Sequence, residues 1–141
     1  MNADNSIAML FYQNLGKLFY AVAFADKNIE AAEFDALKEN VHHVHAILSL
    51  KHRVPKADAE HYIASTFNTM ENENRTVESC YNDFMAFKRT NEPLFSKSLK
   101  IAILKTAGLI ASAFSGKNKS ELIMLAKLDI EFKKDTNEKQ F

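Results

Sequence analysis

Three glycines and two prolines in 141 residues leave few points at which regular structure must break, so helices joined by short turns are expected. Cys80 stands alone, which excludes an intrachain disulfide and a cysteine-based zinc site and suits a reducing cytosol. Charge of one sign is not in excess, because eighteen Lys and Arg offset eighteen Asp and Glu. A neutral chain lacks the positive field on which non-specific nucleic-acid binding depends, and no nucleic-acid partner is expected. Long apolar runs are missing too. The most apolar stretch, IAILKTAGLIASAF (101–114), is too short to span a bilayer and carries Lys105. The opening MNADNSIAML has neither the basic region nor the cleavage site of a secretion signal. The expectation is a cytoplasmic chain without membrane insertion.

Core material is plentiful. Apolar residues make up 47% of the chain, with eleven Phe and four Tyr, enough for one domain that buries roughly 70% of the surface its unfolded form exposes. Leu10, Phe11, Leu15, Leu18, Phe19, Val22 and Ala23 recur at three- and four-residue steps, which predicts a first helix from Asp4 or Asn5 to about Asp26. A second is expected over Glu30 to Leu50, ended before Pro55. A third starts at Lys56 or Asp58 and turns Tyr62, Ile63, Phe67 and Met70 inward. ENENRT (71–76) is a polar connector with Asn74 or Thr76 as the next cap, and a fourth helix carries Val77, Cys80, Tyr81, Phe84, Met85 and Phe87.

Pro93 suits the first turn of a fifth helix, apolar on most sides between Leu99 and Phe114, as a surrounded helix should be. A sixth covers Lys119 to Phe132. The tail, residues 135–141, has low apolar content and is expected to fray. No stretch alternates as a strand does. The fold class is all-α: one bundle of about six helices over residues 1–134.

Residues 15–41 and 104–130 echo each other. Each is an apolar helix, a polar break and a second helix opening on an acidic residue, and they align with one residue deleted from the second break. Two related helical hairpins around apolar central helices would produce this pattern. Within the first, Ala25-Asp26-x-x-Ile29-x-x-x-Glu33 resembles the A-D-G-x-I-x-x-x-E motif of the TerB-like (tellurite-resistance TerB) helical domains. The same module is similar to the N-terminal part of some membrane-anchored DnaJ-type co-chaperones. The resemblance runs from about Leu10 to Phe132. It departs at Lys27, where the family prefers Gly, and at the second motif, which has Ser115 for Asp and reaches Glu121 one residue early. The resemblance implies an all-helical domain, a link to stress or tellurite, and divalent-cation binding by paired acidic residues, of which Asp26 and Glu33 carry over.

Asp26, Asn28, Glu30 and Glu33 fall within eight positions. Such oxygens could hold calcium, magnesium or manganese. They could equally stabilise the start of a helix, for about 0.3–1 kcal/mol each, with no ion. An EF-hand is excluded, since Ala31 and Leu37 would occupy its Gly and bidentate Glu positions. His42 and His45, at i, i+3 on one helix face, could share a transition metal with His52, seven residues further on; solvated or hydrogen-bonded histidines are the alternative.

Lys51-His52-Arg53, with Lys56, is either a polar corner or a place to meet an acidic partner. SGKNKS (115–120) lacks the spacing of a phosphate loop. No nucleophile can be paired with a base, so no enzyme is expected. The sequence therefore points to a non-enzymatic helical module that binds a divalent cation, a protein partner, or both. The alternative is a structural or oligomerisation domain without an ion, using exposed Phe and Met residues as its interface. A cavity lined by the Phe rings competes with their use as core packing.

Overall fold

Leu18 to Ala23, six successive residues, have no exposed surface on any side. They form the last turns of helix α1 (Ala3–Ala23), the rod around which a computed structural model of the chain builds its core. The structure describes residues 3–23, 35, 38–113 and 119–139, with the side chains of 3–6, 112–113, 119–122 and 134–139 outside the description. Among the described residues there are α-helices only: α2 (His42–Leu48), α3 (Lys56–Asn72), α4 (Val77–Thr90), α5 (Lys97–Ala113) and α6 (Lys119–Lys139), with a 3-10 turn at Glu92–Leu94. The fold is an all-α bundle, as the periodicity predicts. No described helix is long and apolar enough to cross a membrane.

Helix α1 packs on α3 and α4, and also meets α5 and α6; α2 lies against α5 and α3. The crossing of α1 and α3 is close because Gly16 is there. A Cβ at Gly16 would stand 2.7 Å from the Ile63 carbonyl oxygen and 3.0 Å from the Thr66 Cβ. Helix α3 follows Pro55, whose extended backbone cannot continue a helix. It buries Ala59, Ile63, Phe67 and Met70 along one stripe.

The connector after α3 divides its work between two residues. Asn74 takes a positive φ of 54°. The Asn74 and Arg75 amides donate back to the Glu71 and Met70 carbonyls at 3.1 and 3.0 Å, the pattern of a Schellman stop in which Asn is tolerated. Thr76 then opens α4, its hydroxyl accepting from the Ser79 amide at 3.0 Å. Arg75 and Lys17 both donate to Asp83 Oδ2, at 2.9 and 3.1 Å, joining the connector, α1 and α4. Burial alone would raise the Asp83 carboxyl, but the hydrogen bonds from Arg75 and Lys17 outweigh it and hold the group below its ordinary value.

Several expectations shift. Asn40 and Val41 form a turn inside the segment predicted as one helix from Glu30 to Leu50. The Asn40 carbonyl there accepts the Thr106 hydroxyl of α5 at 3.4 Å. Pro93 belongs to the 3-10 turn, not to the fifth helix. Helix α5 starts at Lys97, where Ser96 Oγ accepts from the Leu99 amide at 3.2 Å. Helix α5 is also less enclosed than its composition predicts, because Ile101 is 58% exposed and Leu109 39%; α1 has the surrounded position. Helix α6 extends past Phe132 to Lys139.

Candidate functional site

Two polar connections and the first residues of a core helix meet at one end of the bundle. Helix α2 closes with the Ser49 amide on the His45 carbonyl at 2.9 Å and the His52 amide on the Leu48 carbonyl at 2.9 Å. The turn this makes carries Leu50, Lys51 and His52. Opposite it, α4 ends where both the backbone amide and the side-chain amide of Asn91 donate to the Phe87 carbonyl at 3.0 Å.

The 3-10 turn follows, closed by the Leu94 amide on the Asn91 carbonyl at 2.9 Å, and then Phe95. That ring is buried against Phe11, Phe84 and Phe87, with centroids 5.7, 5.9 and 6.1 Å away. Phe95 therefore anchors the link between α4 and α5, and fixes where Leu94, Ser96 and Leu99 stand.

Between these pieces lies a cleft of about 570 Å³, within the size range of small-molecule sites. Leu48 and Leu99, both nearly inaccessible, form its floor, with Ile7, Ile47 and Leu94 half-buried around them. Its rim is polar: Thr90, Asn91, Ser96 and Ser98. Leu50, 80% exposed, and Lys51 stand at the mouth. Lys51 and His52 are the cationic or titratable side chains of the described lining, which includes no carboxylate. The His52 Nδ1 is buried and has no hydrogen-bond partner among the described residues, a state that costs about 1–3 kcal/mol if left unsatisfied.

The histidines predicted as a ligand set are each used differently. His45 Nε2 lies 2.6 Å from the Val54 carbonyl oxygen. A carbonyl only accepts, so this nitrogen carries the proton and ties α2 to the strap before α3. His42 Nδ1 donates in the same way to the Glu39 carbonyl at 2.8 Å, and its ring lies against His43 with centroids 3.9 Å apart. His52 lines the cleft. Among the described residues no three His, Cys, Asp or Glu side chains are grouped so as to hold a metal ion. Asp26, Asn28, Glu30 and Glu33 lie outside the described residues, as do Ser115 and the Glu121 side chain.

Among the described residues, burial places most aromatic and sulfur side chains in the core. Phe11, Phe19, Phe67, Phe84, Phe95, Phe132, Met70, Met85 and Met124 are all core. Among the described residues the large exposed apolar side chains are aliphatic: Leu10, Leu50, Ile101, Leu109, Ile123 and Ile130. No Phe is among the described residues that line the cleft. Cys80 is buried, and its burial raises the thiol above the ordinary value, as an inert core cysteine should behave.

A smaller groove of about 270 Å³ between α5 and α6 is edged by lysines, of which Lys133 pairs with Asp129 at 3.1 Å. The cleft is larger, and its Lys51 faces no acid within the described lining. Sequence reasoning passed over most of it because its walls come from segments around residues 7, 47–52, 90–94 and 96–99, none of which forms a motif. The signal available was Leu50 beside Lys51-His52, an apolar residue in an otherwise polar corner.

No family model matches this chain, and no curated protein or solved structure does so either.

Proposed function

We propose that the chain is a non-enzymatic helical binding module whose working site is the cleft between the end of α2 and the start of α5. The observation that supports this reading is the cleft's make-up: an aliphatic floor on Leu48 and Leu99, a hydroxyl and amide rim, and a cation at the mouth. Such a lining suits holding an amphipathic group by burial and orientation. Titration with a fluorescent apolar dye tests it. Saturable binding is expected for the wild type and is lost in Ser98→Trp, which fills the rim from an exposed position. Equal binding by both proteins would refute it.

A divalent cation at Asp26 and Glu33 is a second reading, supported by their spacing on the TerB-like pattern. Calcium, magnesium or manganese at a hundredfold excess over its Kd would stabilise the fold by about 2.7 kcal/mol. Asp26→Ala and Glu33→Ala should each abolish that shift, and an unshifted wild-type Tm would remove the cation. Self-association is the runner-up for the module as a whole, favoured by the exposed Ile101, Leu109, Ile123 and Ile130. A mass that rises with concentration in sedimentation equilibrium would support it, and a constant monomer mass would dismiss it.

A further inference from the structure

The cleft's charge is more specific than its shape. Across the whole chain positive and negative residues cancel, yet the described lining carries Lys51 and His52 and no carboxylate. The nearest acid along the 3-10 turn, Glu92, is already engaged by Lys88 at 3.2 Å. Burial orders the site from inside to outside. Leu48 and Leu99 are at the bottom, Ile47 and Leu94 are half-buried, and Lys51 is exposed at the mouth. A ligand that fits this order has an alkyl body and one anionic end.

We propose that the cleft binds a medium-chain monocarboxylate, its alkyl chain along Ile47, Leu48, Leu94 and Leu99 and its carboxylate at the mouth beside Lys51 and His52. This deepens the cleft reading given above and rests on it. A monoanion is the match because Lys51 supplies one full charge, whereas a phosphate monoester brings about two. The imidazole of His52, in the wall next to Lys51, adds a group able to donate to a carboxylate oxygen. The ammonium is a compact point charge on a flexible stem, so it can follow a carboxylate at the end of chains of different length. The α5 N-terminus at Ser96 and Ser98 contributes a favourable dipole for an anion on the same rim.

The test is calorimetric titration below the micellar range with hexanoate, octanoate, decanoate and dodecanoate, and with decanol as the uncharged control. Affinity should rise about fourfold per added methylene until the cleft is filled. Lys51→Gln should weaken decanoate about fivefold and leave decanol within about twofold, because a charge at an exposed mouth is partly screened. Higher salt should weaken decanoate alone. Ser98→Trp should abolish both ligands. If decanol binds as well as decanoate and Lys51→Gln changes neither, the anion assignment is overturned while the cleft reading stands. If neither ligand binds the wild type, or Ser98→Trp binds both unchanged, the proposal and the cleft reading fall together.

Discussion

Adding one methyl group to either of two helical glycines should move stability in opposite directions. At Gly16 a Cβ would meet the Ile63 carbonyl oxygen at 2.7 Å and the Thr66 Cβ at 3.0 Å. The first of these is backbone and cannot swing aside, so α1 and α3 must separate for Gly16→Ala to fit. Overpacking of this kind costs about 1–3 kcal/mol. Alanine returns about 0.8–1 kcal/mol of helix propensity, which leaves a net loss of up to about 2 kcal/mol. At Gly108 a Cβ meets nothing within 4 Å, so Gly108→Ala keeps the propensity gain of about 0.8–1 kcal/mol.

The propensity gain is common to both, so the two variants should differ by the overpacking cost alone, about 1–3 kcal/mol. At this chain length each kcal/mol corresponds to roughly 3–4 °C in Tm. Thermal unfolding followed by far-UV circular dichroism, with urea midpoints as a second measure, decides the matter. Gly16→Ala as stable as Gly108→Ala would show that α1 and α3 do not approach closely at that point, and the packing of the core around α1 would be wrong.

Three further predictions concern polar groups. Asp83 is held below its ordinary carboxyl value, so its folded-state value lies under its unfolded one. Its contribution to stability is then complete above the unfolded value, near pH 4, and disappears as pH falls through the folded value. Asp83→Asn should lower stability at pH 7 and flatten the decline between about pH 5 and 3; an unchanged acid profile by urea denaturation would argue against the Arg75–Asp83–Lys17 link. Tyr12 is fully buried, and its hydroxyl has no partner among the described residues. Tyr12→Phe should be neutral or stabilising by up to about 1 kcal/mol in the same assay, and a loss above about 1 kcal/mol would reveal a missing hydrogen bond. Lys88 is 2% exposed, pairs with Glu92 and lies 5.9 Å from the Phe132 ring centroid. Lys88→Met, which keeps the stem, should cost less than Lys88→Ala by about 1–2 kcal/mol, and equal losses would mean that the stem packs against nothing.

Where an element's residues bury themselves against a single partner surface, the sequence reads well. The stripe Ile63, Phe67, Met70 and the Thr76 cap are visible as spacing and side-chain chemistry. What could not be read is set by contacts across the fold. Pro93 looks like a helix start, but Phe95 is needed in the aromatic cluster and the helix begins only after it, at Lys97, capped by Ser96. The apolar composition of α5 suggests enclosure, yet the enclosed place went to α1, which holds Gly16 at its crossing with α3.

The candidate cleft was less legible still. Its floor residues are ordinary helix-face leucines in the sequence, and only the meeting of three segments far apart in the chain places Lys51 and His52 over them. The acidic corner was the reverse case: Asp26 and Glu33 stood out by spacing, but spacing alone does not separate helix capping from cation binding.

The most direct measurement is a methyl NMR titration of isoleucine- and leucine-labelled protein with decanoate. Perturbations confined to the cleft residues Ile7, Ile47, Leu48, Leu50, Leu94 and Leu99, absent in Ser98→Trp, are the predicted result. Shifts centred instead on Ile101, Leu109, Ile123 and Ile130, or spread evenly over both groups, would contradict the account.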